Sequence, residues 1–213
     1  MITCLHGFLG LPSDWDFLRE AGLDIHAVDL FRGEAVPPSG QTILGYSMGG
    51  RLALATLASG ATYQRAVIVS AGLNLSDDQE RVERRAHDQR WAERFESDSW
   101  DDLTADWNRQ AVFGGHAMER GEANFDRIEL GKALRQWSSG VLPPLEPRLE
   151  TIAIPVLWIA GESDERYLEA ARRAIELLPR GELAVAPNAG HRVPWEQPRW
   201  FVERLQEFTK RNE

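Results

Sequence analysis

Three short stretches carry side chains able to do nucleophilic and acid–base chemistry together. Gly45-Tyr46-Ser47-Met48-Gly49-Gly50 is a G-x-S-x-G sequence. A serine flanked by glycines at this spacing suits a sharp strand-to-helix turn that lifts the hydroxyl above the end of a sheet. Gly161-Glu162-Ser163-Asp164 offers carboxylates, and Ala189-Gly190-His191 an imidazole. The chain order serine, acid, histidine allows His191 to accept the Ser47 proton while Asp164 holds the imidazole tautomer and stabilises the imidazolium. Glu162 and Glu165 are rival acids, and Asp77 and Asp78 a further alternative.

A fourth stretch, Leu5-His6-Gly7-Phe8-Leu9-Gly10, lies where an oxyanion loop is expected. The backbone N–H of Phe8 would join that of Met48, the residue after the serine, to bind developing negative charge. His6 is expected to orient this loop rather than to transfer protons. His26, His87 and His116 have no comparable setting, and no pair of them makes a convincing metal site. No metal and no cofactor is expected.

These loops need elements to position them. Short apolar runs at Ile2–Leu5, Ile25–Leu30, Thr42–Gly45, Ala66–Ser70, Val156–Ala160 and Glu182–Ala186 predict strands. Between them, helix-period segments are predicted from Ser13 or Asp14 to about Ala21, from the glycine-rich turn through Leu57, over Tyr167–Leu178, and from Arg199 to Lys210. Alternating strands and helices define an α/β fold with a mostly parallel sheet and crossover helices on its faces. The acid and histidine loops then fall on the same sheet edge as Ser47. From about Leu75 to Leu149 the rhythm breaks. Asp77–Glu96 is dense in charge, and Trp100, Leu103 and Trp107 recur at helical spacing, as do Leu130, Leu134 and Trp137. Three or four short inserted helices are expected there. The chain thus divides into a core, 1–74 and 150–213, and a helical lid insertion, 75–149.

The chain has 213 residues, of which 43% are hydrophobic, enough for one domain with a buried core and too many for global disorder. Lys and Arg number 24 against 33 Asp and Glu, a formal charge of −9. That balance argues against a nucleic-acid partner. The apolar runs are too short to span a bilayer, and the chain opens directly on a strand pattern, so a cytoplasmic protein without a membrane partner is expected. The single Cys4 excludes an intramolecular disulfide and reads as a buried strand residue. Nothing in the sequence fixes an oligomeric state.

These motifs make the chain resemble the α/β-hydrolase superfamily over essentially its whole length. Within it, the sequence is similar to the family of 2-succinyl-6-hydroxy-2,4-cyclohexadiene-1-carboxylate synthases, menaquinone-pathway lyases that eliminate pyruvate. The similarity rests on Leu5 to Gly10 followed by Asp14-Trp15, on Gly45 to Gly50 followed by Arg51, and on lid phrases at Asp88 to Phe95 and from Asp106-Trp107 through Val112-Phe113. The resemblance implies a polycarboxylate substrate and a serine activated as a base, not as an acyl carrier. By motif position it implies substrate contacts from Tyr46, Arg51, Arg84 and Trp107, with a third lid arginine at Arg120 or Arg127. Arg51 lies about one helical turn beyond Ser47, which would bring it to a carboxylate in the pocket. The same triad would equally serve a serine carboxylesterase or thioesterase acting on a small ester through an acyl-enzyme. A non-catalytic binding protein would not need all three triad positions.

One departure stands out. After Asp29-Leu30 the superfamily usually has a turn and a full crossover helix, whereas here Phe31 to Pro38 runs almost directly into the next strand. A reduced sheet is expected, with one crossover shortened to a loop and the exposed face left for the lid or a partner subunit to cover.

Overall fold

The structure is a computed structural model that describes residues 1–211. Six apolar segments, Ile2–Leu5 (β1), Ile25–Val28 (β2), Ser39–Tyr46 (β3), Thr62–Val69 (β4), Val156–Gly161 (β5) and Gly181–Ala186 (β6), pair into one sheet of order β2-β1-β3-β4-β5-β6. Every pairing is parallel. Side chains alternate between faces, as the period of two demands. Leu5, Ile43, Ile68, Trp158 and Ala160 enter one core, while Cys4, Leu44, Val67, Leu157 and Ile159 enter the other. Burial on both faces explains why the central strands read as unbroken apolar runs.

Helices α1 (Asp16–Glu20), α8 (Val193–Glu196) and α9 (Pro198–Lys210) belong with the second core, through Leu18, Val193, Phe201, Leu205 and Phe208. Helices α2 (Met48–Ala58) and α7 (Glu165–Leu177) belong with the first, through Leu54, Leu57, Leu168 and Ala171. Between β4 and β5 lie α3 (Asp78–Ser97), α4 (Trp100–Asn108), α5 (Arg127–Gln136) and α6 (Glu146–Leu149). The first of these corrects the expectation of short helices. It runs for 20 residues, begun by the Asp77 carboxylate accepting from the Glu80 N–H at 2.9 Å. Among the described residues no helix is long and apolar enough to cross a membrane.

The connection from β2 to β3 carries only a 3-10 turn, Leu30–Arg32. The inserted helices cover the face that a crossover helix would occupy. Phe31, 8% exposed, packs against Phe125 and Trp137 of the insert and against Phe8, and joins one cluster with Leu130 and Leu134 of α5.

Strand register brings the chemistry to one edge. Leu5 pairs with Gly45, Tyr46 with Val69, Val69 with Ile159, and Gly161 with Ala186. The loops that follow β1, β3, β5 and β6 therefore leave the sheet together at its carboxyl edge, where open parallel sheets hold their ligands.

Candidate active site

Ser47 sits between β3 and α2 at φ 52° and ψ −111°, a left-handed conformation that a serine adopts only under constraint. The constraint comes from close packing. A Cβ on Gly45 would overlap the Gly49 backbone, and one on Gly49 would overlap the backbone of Leu5 and His6. Both glycines are needed so that α2 can start directly above β1 and β3. The turn is held further by the Ser47 N–H, which donates to Val69 O at 2.8 Å.

The Ser47 hydroxyl donates to His191 Nε2 at 3.0 Å, and His191 Nδ1 donates to Asp164 Oδ2 at 2.7 Å. His191 and Asp164 are both buried, at 2% and 7% exposure. The imidazole is enclosed by aromatic rings, with Tyr167 4.4 Å, Tyr46 5.5 Å and Phe113 6.0 Å away between centroids. The rival acids are placed elsewhere. Glu162 accepts from the Asn188 N–H at 3.0 Å, Glu165 opens α7 at the cavity wall, and Asp77 caps α3.

The loop after β1 lies against this serine. A Cβ on Gly7 would stand 3.5 Å from the Ser47 Cβ and closer still to the Tyr46 ring. Among the described residues neither the Phe8 nor the Met48 N–H donates to a protein acceptor. Such unpaired donors at a helix start suit an anion. His6 fixes the loop from below: Nδ1 donates to Gly7 O at 2.8 Å, and Nε2 accepts from the Leu30 N–H at 3.1 Å. Burial lowers its pKa, against smaller opposing effects of the Gly7 carbonyl and of Asp29 and Asp14, and holds the ring neutral.

A cleft of about 1310 Å³ opens over Ser47, lined among others by Phe8, Tyr46, Arg84, Trp107, Arg120 and His191. Arg84 donates through Nε to the buried Asp88, and among the described residues its Nη groups make no hydrogen bond. Arg120 is already engaged: Nε donates to Leu9 O at 2.6 Å and Nη2 to Asp14 Oδ2 at 2.7 Å, tying the insert to the loop after β1. Its alternative, Arg127, donates to Phe95 O, Asp98 O and Glu122 and does not border the cleft. Arg51 is also absent from the cleft wall. Its Nη1 donates to Asn74 Oδ1 at 2.9 Å behind that wall, where burial, aided by the neighbouring charge of Arg84, pushes its pKa down to about 10. Tyr46 is buried at 6% exposure, and burial raises its hydroxyl pKa.

Three residues bordering the triad had no signal in the sequence reading. Tyr167 and Arg192 stand beside His191 in the cleft. Glu196 brackets the histidine loop, Oε2 accepting from the Gly190 N–H at 2.6 Å and Oε1 from the Arg192 N–H at 2.7 Å. His26 pairs with Glu34, and His87 meets Asp88 and Trp91. Among the described residues no cluster of His, Cys, Asp and Glu could hold a metal ion.

The sheet, the serine turn and the order of the loops define an enzyme of the α/β-hydrolase fold, and the chain belongs to the alpha/beta hydrolase family, whose sequence profile matches residues 4–204. Within that family it is 31% identical to a 2-succinyl-6-hydroxy-2,4-cyclohexadiene-1-carboxylate synthase of Serratia proteamaculans (strain 568), over 78% of this chain and 66% of that one. A synthase of the same name from Salmonella paratyphi C (strain RKS4594) is 29% identical over 98% of this chain and 93% of its own length. The solved structure of MenH from S. aureus superposes with a TM-score of 0.85 at 23% identity, covering 98% of this chain and 92% of that chain.

Proposed function

We propose that the chain is a cytoplasmic lyase that eliminates pyruvate from a polycarboxylate precursor of menaquinone, with Ser47 as a base activated by His191 and Asp164 and residues 75–149 as its lid. The likeness to named synthases supports the reading, and the observation that carries it is a guanidinium at the cleft with free donors. Arg84 lines the cleft that opens over Ser47 and, among the described residues, its Nη groups are unpaired, and Arg51 adds positive charge nearby. A neutral ester has no use for that charge, whereas a carboxylate gains a charge-assisted pair.

In this reading the substrate carboxylate docks on Arg84 and the ring system lies against Trp107 and Tyr46. Ser47 Oγ removes a proton from carbon while its own proton passes to His191 Nε2, and the imidazolium that forms is stabilised by Asp164. The freed electron pair moves through the ring system, the C–O bond to the enolpyruvyl group breaks, and enolpyruvate departs. His191 returns its proton to the departing group, which leaves as pyruvate. The Phe8 and Met48 N–H groups bind charge that builds on oxygen during the transfer.

The test is the ratio of kcat/KM values for pyruvate release from the precursor and for hydrolysis of a p-nitrophenyl ester. Elimination is expected to dominate and to vanish in Ser47→Ala. Efficient ester turnover without pyruvate release, with an acyl group trapped on Ser47, would overturn the lyase in favour of an esterase or thioesterase.

A further inference from the structure

The residue that follows His191 is a buried cation whose guanidinium bonds to no carboxylate among the described residues. Arg192 is 5% exposed. Its hydrogen bonds reach the insert, while the Tyr46 hydroxyl faces it from the core side. Nη1 donates to the His116 carbonyl oxygen, Nη2 donates to Asn108 Oδ1 at 3.0 Å, and Cζ stands 4.0 Å from the centroid of the Phe113 ring. A planar guanidinium can make two in-plane hydrogen bonds and one stacking contact at once, which an ammonium cannot.

These partners occupy a stretch with little structure of its own. Between α4 and Met118 there is one 3-10 turn, Ala111–Phe113, followed by Gly114 and Gly115 at φ 54° and 82°. Asn108 closes the stretch on itself, with Nδ2 donating to Met118 O at 3.1 Å and Oδ1 accepting from the Met118 N–H at 3.2 Å. Asn108 Oδ1 is therefore shared between Met118 and Arg192. On the other side, the Arg192 backbone is fixed by Glu196, whose carboxylate also holds Gly190. The base and the arginine are thus held in one short loop.

We propose that Arg192 is a positioning residue that fastens residues 108–118 of the insert to the histidine loop and so sets the aromatic wall of the cleft, Trp107 and Phe113, in register with His191. When this fastening is lost, only a fraction of molecules hold the wall in place, and apparent affinity falls by that fraction. The reacting groups themselves stay as they are. The effect should therefore fall on KM for a substrate large enough to touch the wall. The inference rests on the proposed reaction only for the identity of that substrate.

The experiment compares wild type with Arg192→Ala, Arg192→Lys and Asn108→Ala by amide hydrogen exchange and steady-state kinetics. In Arg192→Ala, exchange of the 109–118 amides should rise at least tenfold while sheet amides are unchanged. KM for the polycarboxylate precursor should rise about tenfold or more, with kcat and the turnover of p-nitrophenyl acetate within about threefold of wild type. Asn108→Ala should act in the same direction, and the double variant should add little further. Arg192→Lys should fall between, since it keeps the charge but not the fork. Unchanged exchange at 109–118 overturns the proposal, as does a fall in kcat for both substrates with KM constant. If Ser47→Ala retains turnover the proposed reaction fails, and the exchange result still decides the role of Arg192.

Discussion

Arg84 grips Asp88 through Nε alone, at 2.9 and 2.8 Å from the two carboxylate oxygens one helical turn further along α3. The Asp88 side chain is 3% exposed and that of Arg84 33%. The acid thus anchors the stem of the arginine from inside the protein and leaves its outer donors to the cleft. Replacing Arg84 by Ala should raise KM for the polycarboxylate precursor about 10- to 100-fold, the loss of a charge-assisted contact worth roughly 1.5–3 kcal/mol. Hydrolysis of a neutral ester should change little. Equal losses on both substrates would show that Arg84 shapes the cleft instead of binding charge.

The acid of the triad is set by geometry. Asp164→Asn should keep the fold and lower kcat by about 10⁴-fold, because the amide favours the wrong imidazole tautomer. Glu162→Gln should stay within about threefold of wild type, since among the described residues the Glu162 carboxylate serves only the Asn188 N–H. The reverse pattern in these two rate measurements would transfer the role to Glu162.

Strain at the serine turn predicts a trade between activity and stability. Ser47 holds a positive φ that glycine adopts freely. Ser47→Gly should abolish turnover and raise the thermal midpoint by about 2–4 °C, the equivalent of roughly 1 kcal/mol in a chain of this size. A lower midpoint in calorimetry would mean that the hydroxyl contact to His191 outweighs the strain.

His6 gives stability a pH dependence. Its folded pKa lies below the ordinary 6.5, so the unfolded chain binds the proton first as pH falls. Stability from the neutral, doubly bonded ring is full above pH 6.5 and is lost as pH falls from there through the folded pKa. The midpoint difference between wild type and His6→Asn should accordingly narrow between pH 7.5 and 5.5. A difference that widens on acidification would reverse the assignment of the neutral form.

What the sequence made legible is what local sterics and chain order enforce. Gly45 and Gly49 are required because neighbouring backbone leaves no room for a Cβ, so the motif carries its own geometry. Asp164 and His191 follow successive parallel strands, which fixes their edge. The insert was legible only in outline. Its ties reach partners far along the chain: Arg120 meets Asp14 106 residues away, and His116 and Asn108 meet Arg192 of the histidine loop at separations of 76 and 84. A charged residue announces its type but not its direction. The length of α3 was hidden for a related reason, because only Asp88, Ala92 and Phe95 of its 20 residues are buried.

The missing helix between β2 and β3 has a consequence for how this chain can vary. Phe31 rests on Phe125 and Trp137, so the segment that lines one side of the cleft also closes the hydrophobic interior. It is not an exchangeable module. Excising it, or grafting one from a relative that keeps its own crossover helix, would strip the sheet as well as reshape the cleft. Changes that retune ligand choice without opening the fold belong at insert residues that border the cleft but stay out of the hydrophobic core, such as Arg84, Asn108 and Met118.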